Sequence, residues 1–161
     1  MLKFGAGCLL SLTLLVACTS TSVVPLAQNK IIINTSAAPV CGGAGAQDVA
    51  VKMAAVETLR RGYSRFYIVA ADSTNNVDVY QTGPTYATTQ STYQGYGNTI
   101  YGHSNTTFGG RNTIVTGSHD ASLGVVMMKS GDAGYQNAVD AKATLGDKWR
   151  EIAERGVSTC G

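Results

Sequence analysis

Charge is scarce in this chain. Lys and Arg number 12 and Asp and Glu 10, so charged residues make up 14% of the 161, with a formal net charge of +2. A solvated disordered tail or a long coiled coil needs far more. No cluster of cations offers the footprint a nucleic acid would need, and none is expected as a partner. Proline occurs three times, tryptophan once and histidine twice. Long apolar runs are missing too. The best, residues 8–17, is about half the roughly 20 residues a membrane-spanning helix requires. The length suits one domain.

That short apolar run is informative by its position. Lys3 precedes it, and it closes on Leu15-Val16-Ala17-Cys18. The layout of basic start, short apolar centre and small residues at the end is that of an export signal. The last four residues resemble the lipobox of bacterial lipoproteins. The resemblance implies cleavage before Cys18 and acylation of the new N-terminal cysteine. Two or more acyl chains suffice for stable residence in a bilayer. Thr19 follows Cys18, and the Asp that marks retention at the inner membrane is absent. By that resemblance the expected address is the outer membrane, lipid-anchored, on its periplasmic face. Loss of residues 1–17 removes Lys3, leaving 11 cations against 10 anions.

Cysteine usage agrees with export. Of the four cysteines, Cys8 leaves with the signal and Cys18 carries lipid. Cys41 and Cys160 remain in an oxidising compartment, which points to a disulfide between them. Free thiols and intermolecular pairing are the alternatives.

Past Cys18, residues 18–29 are polar and small and read as a tether. A single domain then fills residues 30–161. Residues 30–36 are β-branched and predict a buried strand. Residues 39–45 are glycine-rich and read as a loop. The best helix runs over 47–61, where Val49, Met53, Val56 and Leu59 recur at 3.6-residue spacing. Residues 63–71 predict a central strand, with Phe66, Ile68 and Ala70 on one side. Residues 112–116 and 123–129 predict further strands. A helix is expected over 135–145 with Val139, Ala143 and Ala138 inward, then a short one over 148–155 capped by Asp147. The fold class is α+β: a small sheet of three to four strands with two main helices on one face, plus a long polar excursion.

The excursion covers residues 79–119. Arg111 is its one charged residue, and it is rich in Thr, Gly, Gln, Asn and Ser with Tyr86, Tyr93, Tyr96, Tyr101 and Phe108 spread along it. It reads as a low-complexity insertion, either a protruding hairpin or disordered. Its aromatics are the candidate interaction surface, because tyrosine gives rigid amphipathic contact at low entropic cost. Envelope proteins and peptidoglycan are the partners considered, beside the bilayer itself.

The stretch 55–69, the polar run to Ser118, residues 123–128 and the pair Asp140-Ala141 together resemble a family of small Gram-negative lipoproteins. These combine a lipobox signal, a helix–Gly-Tyr–strand motif and a Ser/Thr/Tyr/Gly-rich insertion. The resemblance implies no activity, ligand or catalytic residue.

Catalytic patterns are absent from the sequence. No G-x-S-x-G elbow occurs. Ser118, His119 and Asp120 are adjacent, and consecutive side chains diverge too much to form a triad. His103, His119 and Asp120 are weak candidates for metal or acid–base work, and His119-Asp120 is expected in a solvated turn. The primary expectation is therefore a non-catalytic binding or structural role in the envelope, without cofactor. One alternative is a subunit of an envelope assembly or secretion machine. Another is a periplasmic metal-binding protein or enzyme using His103, His119 and Asp120.

Overall fold

The computed structural model describes residues 19–84 and 86–160. The expected export signal, residues 1–17, and Cys18 lie outside the described residues. The elements run β1 (Thr19–Ala27), β2 (Lys30–Ala37), α1 (Gly42–Arg60), β3 (Arg65–Asn75), β4 (Asp78–Gln81), β5 (Tyr86–Tyr96), β6 (Thr99–Gly109), β7 (Thr113–Thr116), β8 (His119–Met128), β9 (Val139–Asp140), α2 (Ala141–Leu145) and α3 (Trp149–Arg155). The class is α+β. The main sheet has five strands in the order β1-β2-β8-β3-β9, not three to four, and every pairing in it is antiparallel.

The fifth strand comes from the supposed tether. Thr19–Ala27 is an edge strand, paired with β2 from Thr19↔Ala37 to Ala27↔Lys30. Its sequence, TSTSVVPLA, lacks a clear apolar alternation, so composition alone suggests a linker. Pairing works because Thr21, Val23 and Pro25 fall opposite Thr35, Ile33 and Ile31 on the core side. The Thr21 and Thr35 hydroxyls meet at 3.2 Å, which satisfies the buried Thr35.

α1 lies across one face of the sheet. The expected stripe is there: Val49, Met53 and Val56 are buried and Leu59 packs at the margin. They meet Ile31 and Ile33 of β2, Leu123, Val125 and Met127 of β8, and Phe66 of β3. The helix begins five residues earlier than its apolar pattern suggests, taking in Gly42 to Ala46. The reason is a close approach. A Cβ on Gly45 would stand 3.1 Å from the Cβ of Cys41 and 3.2 Å from that of Cys160. Gly45 thus lets the first turn sit against the disulfide, which joins Cys41 to Cys160 with Cα atoms 5.7 Å apart.

Two details of the strands also differ from the simple alternation. A bulge between Ile68 and Ala70 leaves Val69 without a partner on β8, so Ala71 rather than Ala70 shares a row with Leu123. The helix expected over 135–145 is broken. Tyr135–Asn137 is a single 3-10 turn, Val139 joins the short edge strand β9 and is exposed, and the buried residues are Ala138, Ala141 and Leu145. Asp140 ends the break by capping α2, its Oδ1 accepting from the backbone N–H groups of Lys142 and Ala143. α3 has no such cap from Asp147; Lys148 stands at its N-cap position. Arg60 ties α1 to α3 instead, donating to the carbonyls of Ala153 and Glu154.

Two tests follow from this packing. Phe66→Ala removes a fully buried ring from the centre of the sheet and is expected to cost roughly 3–5 kcal/mol in chemical denaturation. Cys41 and Cys160 are 119 residues apart. Replacing both with serine is expected to cost as much as about 4–5 kcal/mol in the chain-entropy account, and added reductant should have no further effect on that variant.

Candidate interaction surfaces and the arm root

β3 and β8 do not stop at the edge of the core. Their ladder runs from Arg65↔Met128 to Asn75↔His119, and the chain between them continues outward as one long antiparallel arm. β4 and β7 pair first, from Asp78↔Thr116 to Gln81↔Thr113. β5 and β6 follow in an unbroken register from Tyr86↔Gly109 to Tyr96↔Thr99, closed by Gly97 and Asn98 at the tip. Of the two expectations for residues 79–119, the hairpin is the one formed.

The root is fixed by a small polar knot. The Asn76 amide donates to Asp120 Oδ2 at 2.6 Å, and the Ser118 hydroxyl donates to Oδ1 at 3.0 Å. The backbone N–H of Asn76 donates to the Ser118 carbonyl. Gly117 has φ +94°, and a Cβ there would collide with the Asn76 carbonyl oxygen. Hydrogen bonds from Ser36 and Ser118 chiefly hold the Asp120 carboxyl below its ordinary range, against desolvation, with lesser help from Asn76 and the charge of His119. His119 and Asp120 are therefore the first residues of β8, half-buried, rather than a solvated turn. As neighbours on a strand they point to opposite faces. Gly43 of α1 lies beside His119, while Asp120 turns to the open face.

His103 is elsewhere. It sits in β6 opposite Thr92, out on the arm. The structure does not bring His103 together with His119 and Asp120. Among the described residues no group of three His, Cys, Asp or Glu side chains converges as a metal site.

Among the described residues no other element covers the face of the sheet opposite α1. Its rows read across four strands. Ser20, Ser36, Asp120 and Thr74 form one, and Ser22, Asn34, Ser122 and Asp72 the next. They line a shallow notch of about 390 Å³. The third row, Val24, Ile32, Gly124 and Ala70, is apolar. The polar groups are largely engaged with each other: Ser122 donates to Asn34 at 2.8 Å, and Ser118 and Asn76 to Asp120. Ser122 bonds to an amide and Ser118 to a carboxylate. Sequence reasoning missed this face because β1 was not recognised as a strand, and its rows exist only once β1 is paired.

The arm itself is almost entirely solvent-exposed. Every residue of β5, and every residue of β6 except Gly109, is exposed. Tyr86, Tyr93, Tyr96, Tyr101 and Phe108 all sit on it, each more than half exposed. Tyr86 and Tyr93 lie over Gly109 and Gly102, the residues directly across the ladder, where a Cβ would meet the rings. An aromatic ring covering a cross-strand glycine stabilises a ribbon that has no core. The two faces differ in chemistry. Gln90, Gln94, His103 and Asn105 fall on one. The other carries hydrogen-bonded hydroxyl pairs, Thr89 with Thr106 at 2.9 Å and Ser91 with Ser104 at 2.8 Å. At the root, Val79, Tyr80, Ile114 and Val115 form an exposed apolar collar, with Val40 beside Val115.

No protein-family model, curated protein or solved structure matches this chain.

The knot predicts a pH dependence. Because the folded-state pKa of Asp120 is depressed, its stabilising effect is complete above the unfolded carboxyl value of about 4 and fades as pH falls through the lower folded value. Asp120→Asn should therefore loosen the root at pH 7, read as faster amide exchange at residues 75–78 and 116–120. The difference from the parent should shrink as pH falls below the ordinary carboxylate range.

Proposed function

We propose that this chain is a lipid-anchored envelope protein, acylated at Cys18, that works by binding rather than catalysis and presents the β4–β7 arm as its contact element. The observation that carries the reading is positional. Thr19, the residue after Cys18, pairs with Ala37; Ala37 pairs with His119; His119 pairs with Asn75. The point where an acyl group would be attached and the point where the arm departs thus belong to one row at one end of the sheet. Thr19 is also anchored, its N–H donating to the Ser158 carbonyl at 3.0 Å, two residues from Cys160. With no slack between lipid and domain, the bilayer would lie against this end.

The Cys41–Cys160 disulfide fits an exported, oxidising location. The outer membrane, periplasmic face, is the destination proposed, from Thr19 rather than Asp after Cys18. The proposed kinship is with the small Gram-negative lipoproteins described above. A second reading, a subunit of an envelope assembly, is favoured by the length and exposure of the arm.

Growth with labelled palmitate should yield labelled protein that fractionates with membranes. Cys18→Ser should lose both the label and the membrane fraction. Unlabelled parent protein, or unchanged fractionation of the variant, would overturn the proposal.

A further inference from the structure

Two-stranded ribbons are marginal in water, yet this one carries 11 residues in each strand. Its edges are also unlike those of the main sheet. Natural sheets block unwanted pairing with proline, bulges, charge or short strands. The main sheet uses all of these. β1 has Pro25 with a register shift beside it. β9 is only two residues long, and the free part of β3 beyond it has the bulge at Val69 and the charge of Asp72. β5 and β6 have none of them: no proline, no charged residue and no register shift from Tyr86 to Gly109. Each presents a full row of unpaired main-chain donors and acceptors to its outer side.

We infer that the arms of separate copies of this chain pair edge to edge, β5 or β6 of one against an outer strand of the next, into one continuous sheet. It is the arm as contact element that this rests on, and not the acylation of Cys18. A second copy is the occupant the chemistry favours. Between Asp78 and Arg111 the arm has no charge, so identical arms meet without like-charge repulsion along their whole length. They are also equal in length, which lets every exposed main-chain group in one edge find a partner in the other. Size argues for more than a dimer. An 11-residue strand is about 37 Å long and a sheet about 10 Å thick. Each edge-to-edge contact then buries about 370 Å² per partner, well under the roughly 800 Å² per partner of a standard interface, so one contact is weak by itself and a copy is held firmly only when both of its edges are engaged.

Ser91 and Ser104 are the middle residues of β5 and β6 and face each other across the hairpin. They mark where neighbouring arms meet. The full-length chain, produced in the envelope of a Gram-negative host, is tested with single substitutions Ser91→Cys and Ser104→Cys, alone and co-expressed, and a short bis-maleimide. Crosslinked dimers are expected above the parent, which sets the background from Cys18 if that thiol is unmodified. Glu151→Cys on α3 should give none above that background. Co-expression with mixed Ser91→Cys/Ser104→Cys products indicates head-to-tail arms, and like-with-like products indicate two-fold pairing; either supports the inference. Adding Thr92→Lys and Asn105→Lys, which touch no core residue, should lower the yield by roughly tenfold or more through like-charge contact. Yields equal to the parent in every arm variant, yields indifferent to the lysines, or crosslinks only to other proteins would overturn it. So would a native detergent-solubilised mass of one copy.

Discussion

The antiparallel ladder between β3 and β8 is the constraint from which everything else in this molecule is suspended. At one end it carries Phe66 and Met127 into the core under α1. At the other it brings Asn75 and His119 side by side and so fixes where the arm begins. The register that buries the apolar faces of these strands also sets the direction of the excursion, because a one-residue slip would invert every side chain. Asp120, with Asn76 and Ser118, locks that register at the root, where the core can no longer do so.

The molecule is consequently divided by chemistry rather than by domain. The core half is aliphatic, stapled by a disulfide and crossed by a helix. The arm half has no buried side chain from Tyr86 to Phe108 and relies on cross-strand pairs: hydroxyl against hydroxyl, ring over glycine. Such pairs each contribute a few tenths to about 1 kcal/mol, enough to bias a conformation but little to hold it alone. An element of this kind is expected to be completed by what it binds.

Legibility in the sequence followed the strength of the apolar signal. α1 was readable because Val49, Met53 and Val56 recur with the period of a helix; in β3 only Phe66 of the expected inward set is buried, Ile68 and Ala70 being exposed. The Cys41–Cys160 pairing was readable from the cysteine count together with the expectation of export. β1 was not, since serine and threonine carry no period and its pairing depends on β2 lying alongside. The stretch 42–45 read as a loop partly because one neighbour that needs Gly45 to be small, Cys160, lies far along the chain. The helix over 135–145 failed for a similar cause. Arg65 reaches across to the carbonyls of Tyr135 and Gln136, and β3 pairs with Val139 and Asp140, so tertiary contacts outweigh a weak local preference.

For function, the sequence alone determined the list of chemistries available: few charges, two histidines apart in the chain, an uncharged tyrosine-rich stretch and four cysteines. Local composition decides which groups exist. Only the tertiary structure decided which of them stand together. It separated His103 from His119, turned His119 and Asp120 to opposite faces, and set Thr19 in one row with the arm's departure point. Strand neighbours are chosen by burial across the whole sheet, and no window along a single strand contains that information.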